Sequence, residues 1–158
     1  MTILVPFLSF LLGILAGLRS MTPPAAVAWA ARLGRLHLEG TSLAFLGSAV
    51  AAYVFTGLML AELVADKLPR TPSRIRPGPF IGRLVTGGLA GASITAGLGG
   101  SLGIGAVFGA LGAIGGTLGG YKARTGLVRA LREPDWVVAV GEDAVAVGGA
   151  FLILASTP

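Results

Sequence analysis

Charge is almost confined to two short clusters in this chain, and that pattern limits the possible folds more than any other feature. Nine of the twelve Lys and Arg residues fall in them: Lys67, Arg70, Arg74, Arg76 and Arg83, then Lys122, Arg124, Arg129 and Arg132. The stretches between and beyond the clusters are long, apolar and nearly free of charge. Apolar spans separated by basic loops predict a multi-pass helical membrane protein with its basic loops in the cytoplasm. Only 12% of the residues are charged and 54% are hydrophobic, whereas a soluble domain usually has about 25% charged residues. The chain therefore lacks the polar side chains to cover a surface that faces water.

The net charge of +5 does not imply nucleic acid, because the cations sit in loops and not on one face of a polar domain. The expected partners are membrane lipids, with anionic head groups attracting each such residue by on the order of 1 kcal/mol. Cysteine is absent and His37 is the only histidine, so disulfides, thiolate metal sites and Cys nucleophiles are excluded, and neither a metal nor a cofactor is expected. The first 18 residues are apolar without a basic leader, which reads as a membrane segment and not as a cleaved signal.

The apolar run 3–18 stops at Arg19-Ser20-Met21-Thr22-Pro23-Pro24. Thr22 as an N-cap and proline in the first turn predict that one helix ends here and another begins. The new helix, 24–33, is too short to cross comfortably. It is expected to be a partial span or one arm of a re-entrant hairpin. A solvated linker, 34–42, carries Arg35, His37 and Glu39. Full spans are expected at 43–66, 81–98, 102–121 and 136–154, with basic loops at 67–79 and 122–135 and a turn at Gly99-Gly100-Ser101. The fold class is thus an all-α transmembrane bundle, a single domain over 1–158, with five full spans and one short or re-entrant helix. With 67–83 and 122–133 cytoplasmic, the C-terminus falls outside. The side of the N-terminus depends on whether 24–33 crosses, pairs with the first span, or lies on the outer surface.

The two basic loops echo one another: each reads Lys, Arg-Thr, further Arg, Pro, then an aromatic, Phe80 or Trp136. Leu15-Ala16-Gly17 with Ser20 and Thr22 has a similar counterpart in Leu89-Ala90-Gly91 with Ser93 and Thr95. Internal duplication is common in transporters; shared composition accounts for the matches equally well. Gly105, Gly109, Gly112, Gly116, Gly119 and Gly120 line one helical face, and Gly87 and Gly91 add a further Gly-x-x-x-Gly. Small residues at this spacing let backbones approach closely, within the bundle or in a homo-oligomer. The alternative is a smooth conduit lined by glycine.

Glu62 and Asp66 share a helical face, and Glu142 lies beside Asp143 about two turns into the last span. Carboxylates within a membrane normally face the bundle interior or a cavity and find a partner. Arg19 is the candidate partner of Glu62 and Glu142, while Asp66 is expected to reach the interface with Lys67. Asp143, further round the helix, is expected to support or cap. The broken region contributes Arg19, Ser20 and Thr22, where free helix amides beside a cation can hold an anion or carboxylate. Ser93 and Thr95 mark a polar, easily unwound stretch in the second half. The bland alternatives are a structural ion cluster and a proline-directed turn.

Four stretches, Gly17-Leu-Arg-Ser-Met-Thr-Pro-Pro24, Glu62-Leu-Val-Ala-Asp-Lys-Leu-Pro-Arg-Thr-Pro-Ser-Arg74, Gly120-Tyr-Lys-Ala-Arg124 and Gly141-Glu-Asp-Ala144, resemble domain-of-unknown-function family 4126, a family of small bacterial membrane proteins. The resemblance implies an integral protein of the bacterial inner membrane and supplies no activity. The leading expectation is passage of a small solute or ion through Arg19, Glu62 and Glu142. A membrane scaffold is the alternative, and anionic-lipid binding by Lys67, Arg70, Arg74, Arg76, Lys122, Arg124, Arg129 and Arg132 is a third. No enzyme is expected, because Ser, Asp and His form no nucleophilic set.

Overall fold

The computed structural model of the chain describes residues 3–68, 73, 75–131 and 135–157. Arg70, Arg74 and Arg132, expected in the cytoplasmic loops, lie outside the described residues. Among those described there are six α-helices, one 3-10 turn and no strand. The helices are α1 (Leu4–Leu18), α2 (Thr22–Arg32), α3 (Ala49–Ala65), α4 (Pro77–Gly97), α5 (Leu102–Leu131) and α6 (Asp135–Ala155), with the 3-10 turn at Ala44–Gly47.

The all-helical architecture is as expected, but the count of spans is not. Among the described residues, two helices, α5 and α6, are long and apolar enough to cross a membrane, not five. The reason lies in where the helices begin and what they carry. The apolar run 43–66 does not become α-helical until Ala49, because the 3-10 turn precedes it and Ser48 caps it by accepting from the Ala51 amide at 3.1 Å. That leaves 17 residues in α3, and α1 has 15. At 1.5 Å per residue these reach about 22–26 Å, short of a hydrocarbon core of about 30 Å. α4 has 21 residues, but Arg83, its hydroxyl side chains and its glycines lower its hydropathy. Conversely, the second basic segment is no loop up to residue 131: α5 continues as helix through Lys122, Arg124 and Arg129.

α1, α4 and α5 form the tightest part of the bundle, and glycine is the reason. A Cβ built on Gly13, Gly109, Gly112 or Gly116 would fall within 3.0 Å of backbone on a facing helix. Gly112 and Gly116 approach Phe10 and Ile14 of α1, Gly105 and Gly91 approach each other across α4 and α5, and Gly109 lies against both partners. The stripe therefore packs backbone on backbone, which favours close helix association over a glycine-lined conduit. Gly115 and Gly119 meet open space.

The chain direction follows from a few contacts. The 19–21 turn, the C-terminus of α3, the start of α4 and the start of α6 gather at one end, here the charged end. At the far end Arg35 donates to the Ala155 carbonyl at 3.2 Å and Leu36 lies against Gly97. α1 and α2 thus form a hairpin with its tip at the charged end. The linker expected to be solvated is only half so. Arg35, His37 and Glu39 are exposed, but Leu36 and Leu38 are buried and fold back to close the far end of the core.

Leucines such as Leu12, Leu36 and Leu46 share the interior with many small residues, yet many large apolar side chains point outward. Val50, Val54, Leu60 and Val64 of α3, Ile104, Val107 and Leu111 of α5, and Val145, Phe151 and Leu152 of α6 are all exposed. A soluble monomer rarely shows so continuous an apolar exterior. This distribution and the two long apolar helices are consistent with a membrane protein.

Candidate functional site

The 19–21 turn is where the chain breaks its helix, and both broken ends need partners. Arg19 terminates α1 in extended geometry, its amide bonded to the Leu15 carbonyl at 2.8 Å. The last carbonyls of α1 then face inward without helical donors. Arg83 of α4 supplies them: its Nη1 donates to the Gly17 and Leu18 carbonyls at 2.7 and 2.8 Å. A buried cation on a helix C-terminus is also the favourable sign for the helix dipole.

The start of α2 is served in the opposite sense. Thr22 is the first helical residue and not the N-cap; Met21 holds that position, without a side-chain cap. Pro23 and Pro24 have no amide protons, so few donors remain to be satisfied there. Glu62 of α3 takes the amides of Ser20 and Met21, each at 2.8 Å, and the Ser20 hydroxyl at 2.8 Å. The turn was expected to hold an anion or carboxylate, and in this conformation the carboxylate is the chain's own. Arg83 Nη2 lies 3.7 Å from Glu62 Oε1, so the two capping charges also face each other across the break.

Arg19 itself points elsewhere, and the expected pairing with Glu62 and Glu142 is incorrect. Its guanidinium pairs with Asp66 at the end of α3 and, through Nε at 2.5 Å, with Asp143 of α6; Nη2 reaches the Ala139 carbonyl at 3.4 Å. Arg19 is fully buried, and each aspartate is 15% exposed, so the cluster reaches the solvent edge. Lys67, expected to reach the interface with Asp66, donates to Asp143 at 2.7 Å and to its own helix at Leu63. Asp66 and Asp143 are therefore the direct partners of the buried arginine, and Asp143 bridges two cations. Glu142, one residue away but turned to the other side of α6, joins a separate group in which Arg124 holds it at 3.4 Å and grips Asp135 through two nitrogens.

A family model described as Domain of unknown function (DUF4126) matches residues 7–156. The chain belongs to this family. No curated protein and no solved structure matches it.

Of the residues singled out in the sequence, Arg19, Ser20, Glu62, Asp66 and Asp143 come together at the turn. Thr22 adjoins them, fully buried, its hydroxyl without a hydrogen-bond partner among the described residues. Ser93 and Thr95 do not join: they lie in the other half of α4. Ser93 bonds back to Leu89 within its helix. Thr95 meets Ser9 of α1 at 2.8 Å beside the Gly91 carbonyl and lines a cavity of about 300 Å³ with Val5, Pro6, Leu98 and Ile104. Ser9 was not anticipated, since a single serine in an apolar run carries no signal. Arg83 was read only as a member of the first basic cluster, although it falls within the span expected at 81–98. Pro77 opens α4, which puts Arg83 almost two turns inside a helix, and that spacing was the available clue. Among the described residues no group of acids, His or Cys could hold a metal ion.

Proposed function

We propose that this chain is a multi-pass protein of the bacterial inner membrane that passes a small solute or ion through a site at the 19–21 turn. One observation carries the reading: the chain breaks between two helices at the 19–21 tip, and the amides freed by the break are directed at the Glu62 carboxylate, which is 13% exposed. Non-helical backbone within a membrane is tolerated only where protein buries it or a cavity borders it, and interrupted helices are the usual place of transporter binding sites. Two amides, a hydroxyl and an arginine favour an anion, so carboxylate-bearing solutes are the first to test. The test is uptake into proteoliposomes across a panel of small anions and cations. The parent should move at least one of them, Glu62→Gln should change that rate markedly, and Glu142→Gln, whose partner is Arg124, should leave it nearly unaltered.

A scaffold is the second reading. It is favoured by the pairing of each acid in the cluster and by the glycine contacts that lock α1, α4 and α5. Absence of flux toward the whole panel, together with marked destabilisation of Glu62→Gln, would decide for it.

The orientation carries its own expectation. The charged end faces the cytoplasm in this reading, and both chain termini lie outside. Single cysteines at Ser73 and Thr125 should label only from the cytoplasmic side, and one at Thr41 only from outside. Labelling of positions 73 and 125 from opposite faces would overturn the arrangement. Arg76, Lys122 and Arg129 remain available for anionic head groups, whereas Lys67 and Arg124 are engaged with carboxylates.

A further inference from the structure

We infer that the charged end of α3 is a releasable latch, and that Glu62 in it competes with a carboxylate-bearing solute for the amides of Ser20 and Met21. The inference rests on the transport reading of the same turn and adds a moving part to it.

The two halves of α3 are held differently. The half at the far end is anchored by packing: Ala51 and Ala52 are its buried residues, and Phe55 packs against the core. Trp29 of α2 donates to Thr56 at 2.9 Å and meets Tyr53 edge-to-face with ring centroids 5.6 Å apart. From residue 57 to residue 66 no side chain is buried. That half is held through polar contacts, with Glu62 on the turn amides, Asp66 on Arg19 and Lys67 on Asp143. A helix fixed by apolar contact at one end and by exchangeable charge at the other can swing about the fixed end. When it swings, the Ser20 and Met21 amides lose their acceptor while Arg83 stays on α4, so a donor set for one carboxylate is uncovered. The buried Thr22 hydroxyl, one residue on and without a partner among the described residues, adds a further unused donor beside them.

Thr22 also supplies the probe. The chain has no cysteine, and Thr22→Cys sacrifices no hydrogen bond. With the latch closed this thiol should react slowly with N-ethylmaleimide. Adding Glu62→Gln or Asp66→Asn should raise the rate about tenfold, the ratio that about 1.4 kcal/mol of lost latch energy produces. A Val50→Cys reporter, at an exposed position of the anchored half that makes none of these contacts, should stay constant in the same backgrounds. Should those variants misfold, the single Thr22→Cys protein still decides. Formate, set against chloride at equal ionic strength, should speed its labelling in proportion to concentration. Unchanged rates in the latch variants, or no effect of formate, would overturn the latch whatever the flux assay gives. Faster labelling in a protein that transports nothing would instead retain the latch and remove the transport reading.

Discussion

Arg19→Met should cost the folded protein about 3 kcal/mol, at the lower end of what breaking a buried ion pair costs. The loss does not come from the arginine's own contacts, which its burial largely offsets. It comes from Asp66 and Asp143, which are left charged in a mostly buried place. Two facts keep the cost from being larger: both aspartates reach the solvent edge, and Lys67 still faces Asp143. The measurement is thermal unfolding in detergent, compared with Arg19→Met combined with Asp66→Asn and Asp143→Asn. The triple variant should recover part of the loss, because no unpaired charge remains. A single variant as stable as the parent would mean that the cluster is hydrated and loosely held.

Gly112→Leu and Gly116→Leu should each do more damage, above the usual 1–3 kcal/mol for overpacking, roughly enough to abolish the folded state of a marginal protein. Their new side chains would meet the α1 backbone at Phe10 and Ile14, and backbone cannot rotate away as a side chain can. Gly115→Leu, on the same helix but facing open space, should behave like the parent. Size-exclusion profiles and thermal stability in detergent read the difference. Equal behaviour of the three would remove α5 from the centre of the bundle.

The parts of this molecule that were legible in its sequence are those set by local chemistry. The helix break is written in Pro23 and Pro24, although Thr22 does not cap as expected, and the close packing of α5 is written in the spacing of its glycines. The importance of carboxylates in apolar surroundings follows from the cost of burying them. The pairings were not legible, because they depend on how separate helices are rotated and raised against one another. Glu62 and Asp66 share one face of α3, yet the first reaches the backbone of the turn and the second reaches the side chain of Arg19. Span lengths were misjudged for a related reason. Apolar letters continue through 43–48, but the backbone there winds as a 3-10 turn until Ser48 caps α3. At the other extreme, Lys122 to Arg129 read as a loop from their charge, although no proline interrupts them before residue 134 and the helix carries on.

The partners of the turn are spread along the chain, and this bears on how the protein is made. Glu62 lies 42 residues beyond Ser20, the Arg83 that serves Gly17 lies 66 beyond it, and Asp143 lies 124 beyond Arg19. As the chain emerges from the ribosome, its first hairpin has no means of neutralising its tip. The partners of the tip come only with α3 and α4, and the second carboxylate of its arginine, Asp143, only with α6. The first two helices to be translated are therefore the last whose charged tip is fully paired.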